Sequence, residues 1–474
     1  MKQSYLGILF LCVSMGPIFV SGGCFAQDAV PGLVERGKYL AIAADCNACH
    51  HDPISGEAFS GGYGVKTPLG DIIASNITPS KTSGIGNWSL HRFSDAVRKG
   101  RVGAHFLYPA MPYPEYSAIT DDDIRALYSY FQLGVLPVEN VPRQTQLNFP
   151  FNIRFLMAGW SLFFGGGAPY TIKQASGVDR GKYLATALGH CSSCHTPRNI
   201  FMGTNKTAYL SGGKVGAWTA PNITSDTEEG IGRWSEADII SYLKTGVAHG
   251  KAIAAGDMGV AVQNSFSQMN DDDIRDIARY IKSLTPIRSN VSGTEIPSPF
   301  KNINEEKKVH LLKYQEMMNI SEMSGQDLYE GACSSCHGHD GLGGMGGNIP
   351  PLKGVSVTST VDPSDLVLTI SEGVNRSVSG HHIFMPAFGN NSTFFNPEFN
   401  AVIIAKIADY VSSSFGVPSH HINLLQVKEI LLCDKVNPQN GRLKYISILS
   451  ILSLLLIIFI AIIVFIRKHV SEKK

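Results

Sequence analysis

CNACH at Cys46–His50, CSSCH at Cys191–His195 and CSSCH again at Cys333–His337 are three copies of one pattern, Cys-x-x-Cys-His, set 145 and 142 residues apart. In this pattern two thiols can add across the vinyl groups of a porphyrin, while the adjoining imidazole takes the iron from one face. A zinc site wants four N/S ligands, usually as paired CxxC knuckles, and no repeat here contains a second CxxC. A redox dithiol has no use for a histidine fixed behind its second cysteine. The pattern therefore points to three covalently bound haem c groups. Cys46 and Cys49, Cys191 and Cys194, and Cys333 and Cys336 would form the thioethers, with His50, His195 and His337 on the irons.

Working outward, each signature ends an Ala/Leu-rich helical stretch: RGKYLAIAAD before Cys46, DRGKYLATALGH before Cys191 and SGQDLYEGA before Cys333. A closing helix recurs downstream. In ITDDDIRALYSYFQ, Ile124, Leu127, Tyr128 and Phe131 form one apolar face, Thr120 is a ready N-cap and three aspartates load the first turn. MNDDDIRDIARYIKSL repeats this with Asn270 as cap, and NPEFNAVIIAKIADYVSSSFG is the third version. Between these helices NITPSKTSGIGNWS at 76–89 matches NITSDTEEGIGRWS at 222–235, with Ser89 and Ser235 as N-caps and Gly100 and Gly246 as left-handed helix ends. The third repeat lacks this module. The fold expected is mostly α: three tandem domains at 27–145, 173–287 and 319–417, joined by an apolar linker 146–172 and a polar, charged linker 288–318. Within the first linker, FPFNIRFLMAGWSLFF at 149–164 reads as inter-domain packing or as contact with a membrane surface or partner.

The sixth ligand separates an electron carrier from a haem enzyme, and methionine thioether is the usual ligand of a carrier. Met111 in LYPAMPY is the only methionine between His50 and the apolar linker. Met385 in FMPAFG shares its Met-Pro pair, whereas Met345 stands only eight residues past His337. In the second repeat Met258 lies 63 residues after His195, against 61 from His50 to Met111. Met202 is too near, and Met269 reads as core beside the closing helix. Met111, Met258 and Met385 are therefore the expected axial partners. His381 and His382 form an alternative in the third repeat. Loop carbonyls around Pro68, Pro221 and Pro350 are candidates to hold the second nitrogen of each ligating imidazole.

The ends and composition add the setting. A net charge of +1 gives no reason to expect nucleic acid. Lys2 followed by an apolar run and small residues reads as a signal peptide at 1–26. The uncharged stretch 445–466 is long enough for a transmembrane helix, after a juxtamembrane segment 418–444 and before a basic tail 467–474. The location expected is the inner membrane through a single C-terminal anchor, with the haem domains on the periplasmic side. Cys24 reads as part of the leader and Cys433 as a free thiol.

The RGKYLA…CxxCH opening, the NIT…GIGxWS module, LYPAMPY, CHTPRN at 194–199 and the DDDI helices together resemble the triple-haem cytochrome c subunit of membrane-bound, quinone-linked alcohol and gluconate dehydrogenases. The likeness runs from about Leu33 to Val417. Each repeat also looks like a small class I cytochrome c, which would pack Gly37, Gly181 and Gly325 against Tyr130, Tyr280 and Tyr410. The resemblance implies a periplasmic dehydrogenase partner that oxidises a sugar, alcohol or aldehyde, with ubiquinone as acceptor. No nucleotide loop or catalytic metal pair occurs, so substrate chemistry is expected in the partner. A peroxidase or reductase with one open iron, and a donor to a terminal oxidase, are the competing readings.

Overall fold

A computed structural model describes residues 29–67, 70–149, 151–199, 201–288, 322–344, 349–378, 380–389, 401–416 and 421–435. Among these, helices dominate, and the strands form two-stranded antiparallel hairpins.

The local rules read from the sequence hold. Thr120 and Asn270 accept from the backbone N–H of Asp123 and Asp273 at the start of helices Asp121–Ser129 and Asp271–Lys282. Ser89 and Ser235 do the same for helices Leu90–Lys99 and Glu236–Thr245, the latter with a full capping box through Asp238. Both middle helices end in glycine at positive φ, 58° at Gly100 and 77° at Gly246.

The opening helices Ala29–Ala43, Val178–Tyr183 and Gly325–Ala332 each cross the closing helix of their own repeat at a glycine. A Cβ on Gly37 would lie 2.0 Å from the carbonyl oxygen of Ala126, on Gly181 1.8 Å from that of Asp276, and on Gly325 2.3 Å from that of Lys406. Each of these residues is four before Tyr130, Tyr280 and Tyr410, so the crossing has one register in all three repeats. The glycine-to-cysteine spacing nevertheless differs, being nine, ten and eight residues. Extra residues are absorbed downstream of the crossing. The second repeat widens into a π-helix at Leu184–Leu188, and Asp45 and His190 adopt left-handed backbone (φ 49° and 37°) directly before Cys46 and Cys191. The third repeat runs straight from helix to Cys333.

The NIT module is a staple. Asn76 accepts from the N–H and hydroxyl of Thr78, at 2.9 and 2.7 Å, and its amide donates to the carbonyl of Val138 at 2.8 Å. Asn222 binds Thr224 in the same way and donates to the carbonyl of Ile287 at 2.8 Å. Each Asn ties the loop beyond a signature to the chain leaving the closing helix.

Two hydrophobic cores result. One is continuous through the first and second repeats, from Leu40, Leu127 and Phe131 to Tyr183, Leu188 and Ile277. The other lies within the third repeat, around Leu328, Tyr329, Ile403, Ile407 and Phe415. A crossed pair of hydrogen bonds locks the first two repeats together. Tyr39 donates to Asp273 and Tyr183 donates to Asp123, each at 2.6 Å. Each aspartate also holds the arginine of its own repeat, Arg36 with Asp123 at 2.6 Å and Arg180 with Asp273 at 3.0 Å. The apolar linker forms helix Leu156–Phe164, in which Trp160 packs edge-on to Tyr113 and Phe164 lies over Gly203. Leu162 and Phe163 stay 82% and 79% exposed.

The expected membrane anchor is corrected. Among the described residues no helix is long and apolar enough to cross a membrane. The last helix, Leu424–Lys435, has 12 residues with Lys428 and Glu429 inside it. At ~1.5 Å per residue it reaches about 18 Å, well short of a ~30 Å hydrocarbon core. The stretch 445–466 on which the expectation rested, its flank 436–444, the tail 467–474, the leader 1–26 and most of the polar linker lie outside the described residues. Among the described residues the fold is mostly α with no helix able to cross a membrane, and the assignment to the inner membrane through a single C-terminal anchor, haem domains on the periplasmic side, is withdrawn with the anchor.

Candidate haem sites

Each signature forms one short helical turn: Cys46–His50, Ser192–His195 and Ser334–His337. In all three the histidine Nδ1 meets a backbone carbonyl: His50 that of Ser75 at 2.7 Å, His195 that of Pro221 at 2.7 Å and His337 that of Pro350 at 3.1 Å. A carbonyl oxygen can only accept, so Nδ1 carries the proton and Nε2 keeps the lone pair an iron requires. Burial lowers the pKa of each ring and favours the neutral form. Pro221 and Pro350 were legible in the sequence. In the first repeat the acceptor is Ser75 rather than the region of Pro68, which lies outside the described residues.

None of the six signature cysteines is paired in a disulfide. Burial pushes Cys46, Cys49, Cys191 and Cys333 up to about 12 and Cys194 to about 11. A redox dithiol shows the opposite displacement. Among the described residues no group of three or more His, Cys, Asp or Glu side chains is arranged to hold a bare metal ion.

The three methionines occupy one topological place in different local conformations. In every repeat a middle helix ends at a positive-φ glycine, a β-hairpin follows, and the methionine comes next. The first repeat runs Leu90–Lys99, Gly100, hairpin Arg101–Val102/His105–Phe106, then Met111. The second runs Glu236–Thr245, Gly246, hairpin Val247–Ala248/Ala252–Ile253, then Met258. The third runs Ser364–Glu372, Gly373, then hairpin Val374–Val378/His381–Met385, ending on Met385 itself. Met111 lies in a turn, Met258 in the first turn of helix Gly256–Asn264 and Met385 at a strand end. Sequence spacing could not see the first two hairpins, because two-residue strands leave no periodic trace.

The other candidates are placed elsewhere. Met269 is 2% exposed in the core, and Met202 is 45% exposed. Met345 lies outside the described residues. The His382 ring bonds the Asn375 side chain at 2.8 Å across its hairpin.

The first two signatures are neighbours. The Met258 helix packs on Cys46–His50, and in return Glu115, four residues past Met111, accepts from Ser192 at 3.0 Å. Asp45 is pressed against this face. Burial, helped by Asp257, raises its pKa to about 8.

The sequence family described as Cytochrome c matches residues 178–285, and that described as Cytochrome C oxidase, cbb3-type, subunit III matches residues 321–404. The fructose dehydrogenase cytochrome subunit of Gluconobacter japonicus is 41% identical over 406 residues, 84% of this chain and 82% of the relative. The cytochrome c subunit of the alcohol dehydrogenase (quinone) of Gluconacetobacter polyoxogenes is 36% identical over 84% of each chain. The gluconate 2-dehydrogenase cytochrome c subunit of Pantoea cypripedii is 35% identical over 82% of this chain and 87% of its own. Cytochrome c domains bind haem c covalently, and with this identity across nearly its whole length the chain belongs to the family of dehydrogenase cytochrome c subunits.

Proposed function

We propose that this chain carries three haem c groups in three domains with the limits given above, and that it passes electrons from a partner dehydrogenase, oxidising a sugar, alcohol or aldehyde, to ubiquinone. One observation carries the reading. In each repeat an imidazole is held through Nδ1 by a carbonyl, and a methionine follows the same helix–glycine–hairpin sequence. The thioether cysteines are Cys46 and Cys49, Cys191 and Cys194, and Cys333 and Cys336. His50 with Met111, His195 with Met258, and His337 with Met385 are the axial pairs. Haem supplies one-electron chemistry between ferric and ferrous iron. The protein residues supply a fixed imidazole tautomer, a soft sixth ligand that favours the reduced state, and a desolvated pocket. A chain with every iron closed in this way does not transform substrate, so the oxidation belongs to the partner, as the names of the relatives suggest.

Two measurements test this. The mass of the mature chain should exceed that of its polypeptide by three haems, and a large dehydrogenase chain should co-purify with it. A mass increase of two haems or fewer refutes the count. Strong carbon monoxide binding by one haem of the unaltered, reduced protein would instead favour the haem-enzyme reading.

A further inference from the structure

The second repeat differs from its neighbours in how its methionine segment is held. In the first repeat the cap glycine, Gly100, lies against Tyr113, two residues past Met111; a Cβ there would be 2.5 Å from the ring. In the third, a Cβ on Gly373 would be 2.4 Å from the carbonyl of Met385 itself. Both repeats therefore close their methionine segment with their own residues. At Gly246 the nearest atoms belong to Arg376 of the third repeat, 2.6 Å from the position of such a Cβ.

Arg376 stands on strand Val374–Val378 and is only 4% exposed. Its Nη2 donates to the carbonyl of Gly246 at 3.2 Å and its Nη1 donates to the carbonyl of Ala254. A Cβ on Gly259, the residue after Met258, would lie 3.4 Å from Nη1. The guanidinium thus binds both ends of the hairpin that leads into Met258 and fills the space beside its helix. Gly259 also replaces the proline that stiffens the chain after Met111 and Met385. A guanidinium buried against carbonyls, with no carboxylate at ion-pair distance among the described residues, carries a desolvation cost that its hydrogen bonds must offset. Docking of the third repeat does not need that expense. Lys214 with Asp362, and the Thr219 N–H to Asp365 at 2.8 Å, already join the two repeats. In the hairpin Gly213–Val215/Trp218–Ala220, Lys214 lies on the far strand from Trp218, whose ring meets Gly256 at the start of the Met258 helix.

We propose that Arg376 is a positioning residue for Met258, so that the sixth ligand of the second haem is completed from the third repeat. This rests on the reading of Met258 as that ligand.

The test uses the full haem-loaded chain and four variants, read by the methionine–iron charge-transfer band and by carbon monoxide binding to the reduced protein. Met258→Ala should remove roughly one third of the band and admit carbon monoxide at one haem. Arg376→Gln should weaken the same third and admit carbon monoxide at the same haem, while Arg376→Lys, which keeps a cationic donor, falls between it and the parent. Lys214→Ala, which removes an ion pair of the same interface, should leave both signals unchanged. A parental band and no carbon monoxide binding in Arg376→Gln would overturn the proposal, as would an equal change in Lys214→Ala. A full band in Met258→Ala would remove the ligand assignment, and the role of Arg376 with it.

Discussion

Gly181 stands where its Cα and the Asp276 carbonyl leave no room for a methyl group. Alanine is the better helix former by about 1 kcal/mol. Overpacking against a main-chain atom outweighs this, at about 3 kcal/mol. Gly181→Ala should therefore lower the thermal midpoint, whereas Gly32→Ala, with open space around it, should not. Met111→Ala should leave its haem attached and abolish methionine ligation in the first repeat alone, seen as partial loss of the charge-transfer band. Asp45 offers a third check. Its pKa is raised from 3.8 to about 8, so the folded chain binds this proton more tightly than the unfolded one. That contribution is complete below pH ~4 and is lost as pH rises through about 8. Asp45→Asn, which tolerates the left-handed backbone at φ 49°, should flatten the fall of the melting temperature across that window.

Helices, caps and the short turns of the three CxxCH segments were legible in the sequence because each depends on neighbours within a few residues. Thr120, Asn270, Ser89 and Ser235 cap as read; the helix crossings at Gly37, Gly181 and Gly325 join distant residues and were expected only from the likeness to a small class I cytochrome c. What escaped is set by residues far apart along the chain. Asn76 was visible as part of a repeated NIT, yet its bond to Val138 spans 62 residues. Arg376, in a strand of the least similar repeat, reaches back 122 residues to Ala254. Ser75 could not be chosen over its neighbours because which loop carbonyl faces His50 depends on the fold of the intervening hairpin. The staple itself is testable. Asn222→Ala should cost about 1–3 kcal/mol in denaturant unfolding, since the buried Thr224 loses its acceptor and the Ile287 carbonyl its shorter donor.

The sequence makes the first two repeats the closer pair, and the packing follows this as two plus one. The first and second repeats share a core and a pair of Tyr–Asp bonds related by an approximate two-fold exchange, while the third forms a core of its own and adds Val378 to the shared one. The RGKY and DDDI motifs recur together in the first two repeats and are absent from the third, so the partnership had left a trace in the sequence. Tyr39→Phe and Tyr183→Phe should each destabilise by about 1.5–3 kcal/mol, with the double variant showing whether the two bonds act together. Because each of these repeats supplies a tyrosine to the other, the pair has the bonding of a homodimer written into one polypeptide. A covalent connection between such halves is dispensable once they have met. A single protease nick within the exposed stretch Phe151–Phe155 should therefore yield two bands in denaturing gels and one undivided particle in native gels.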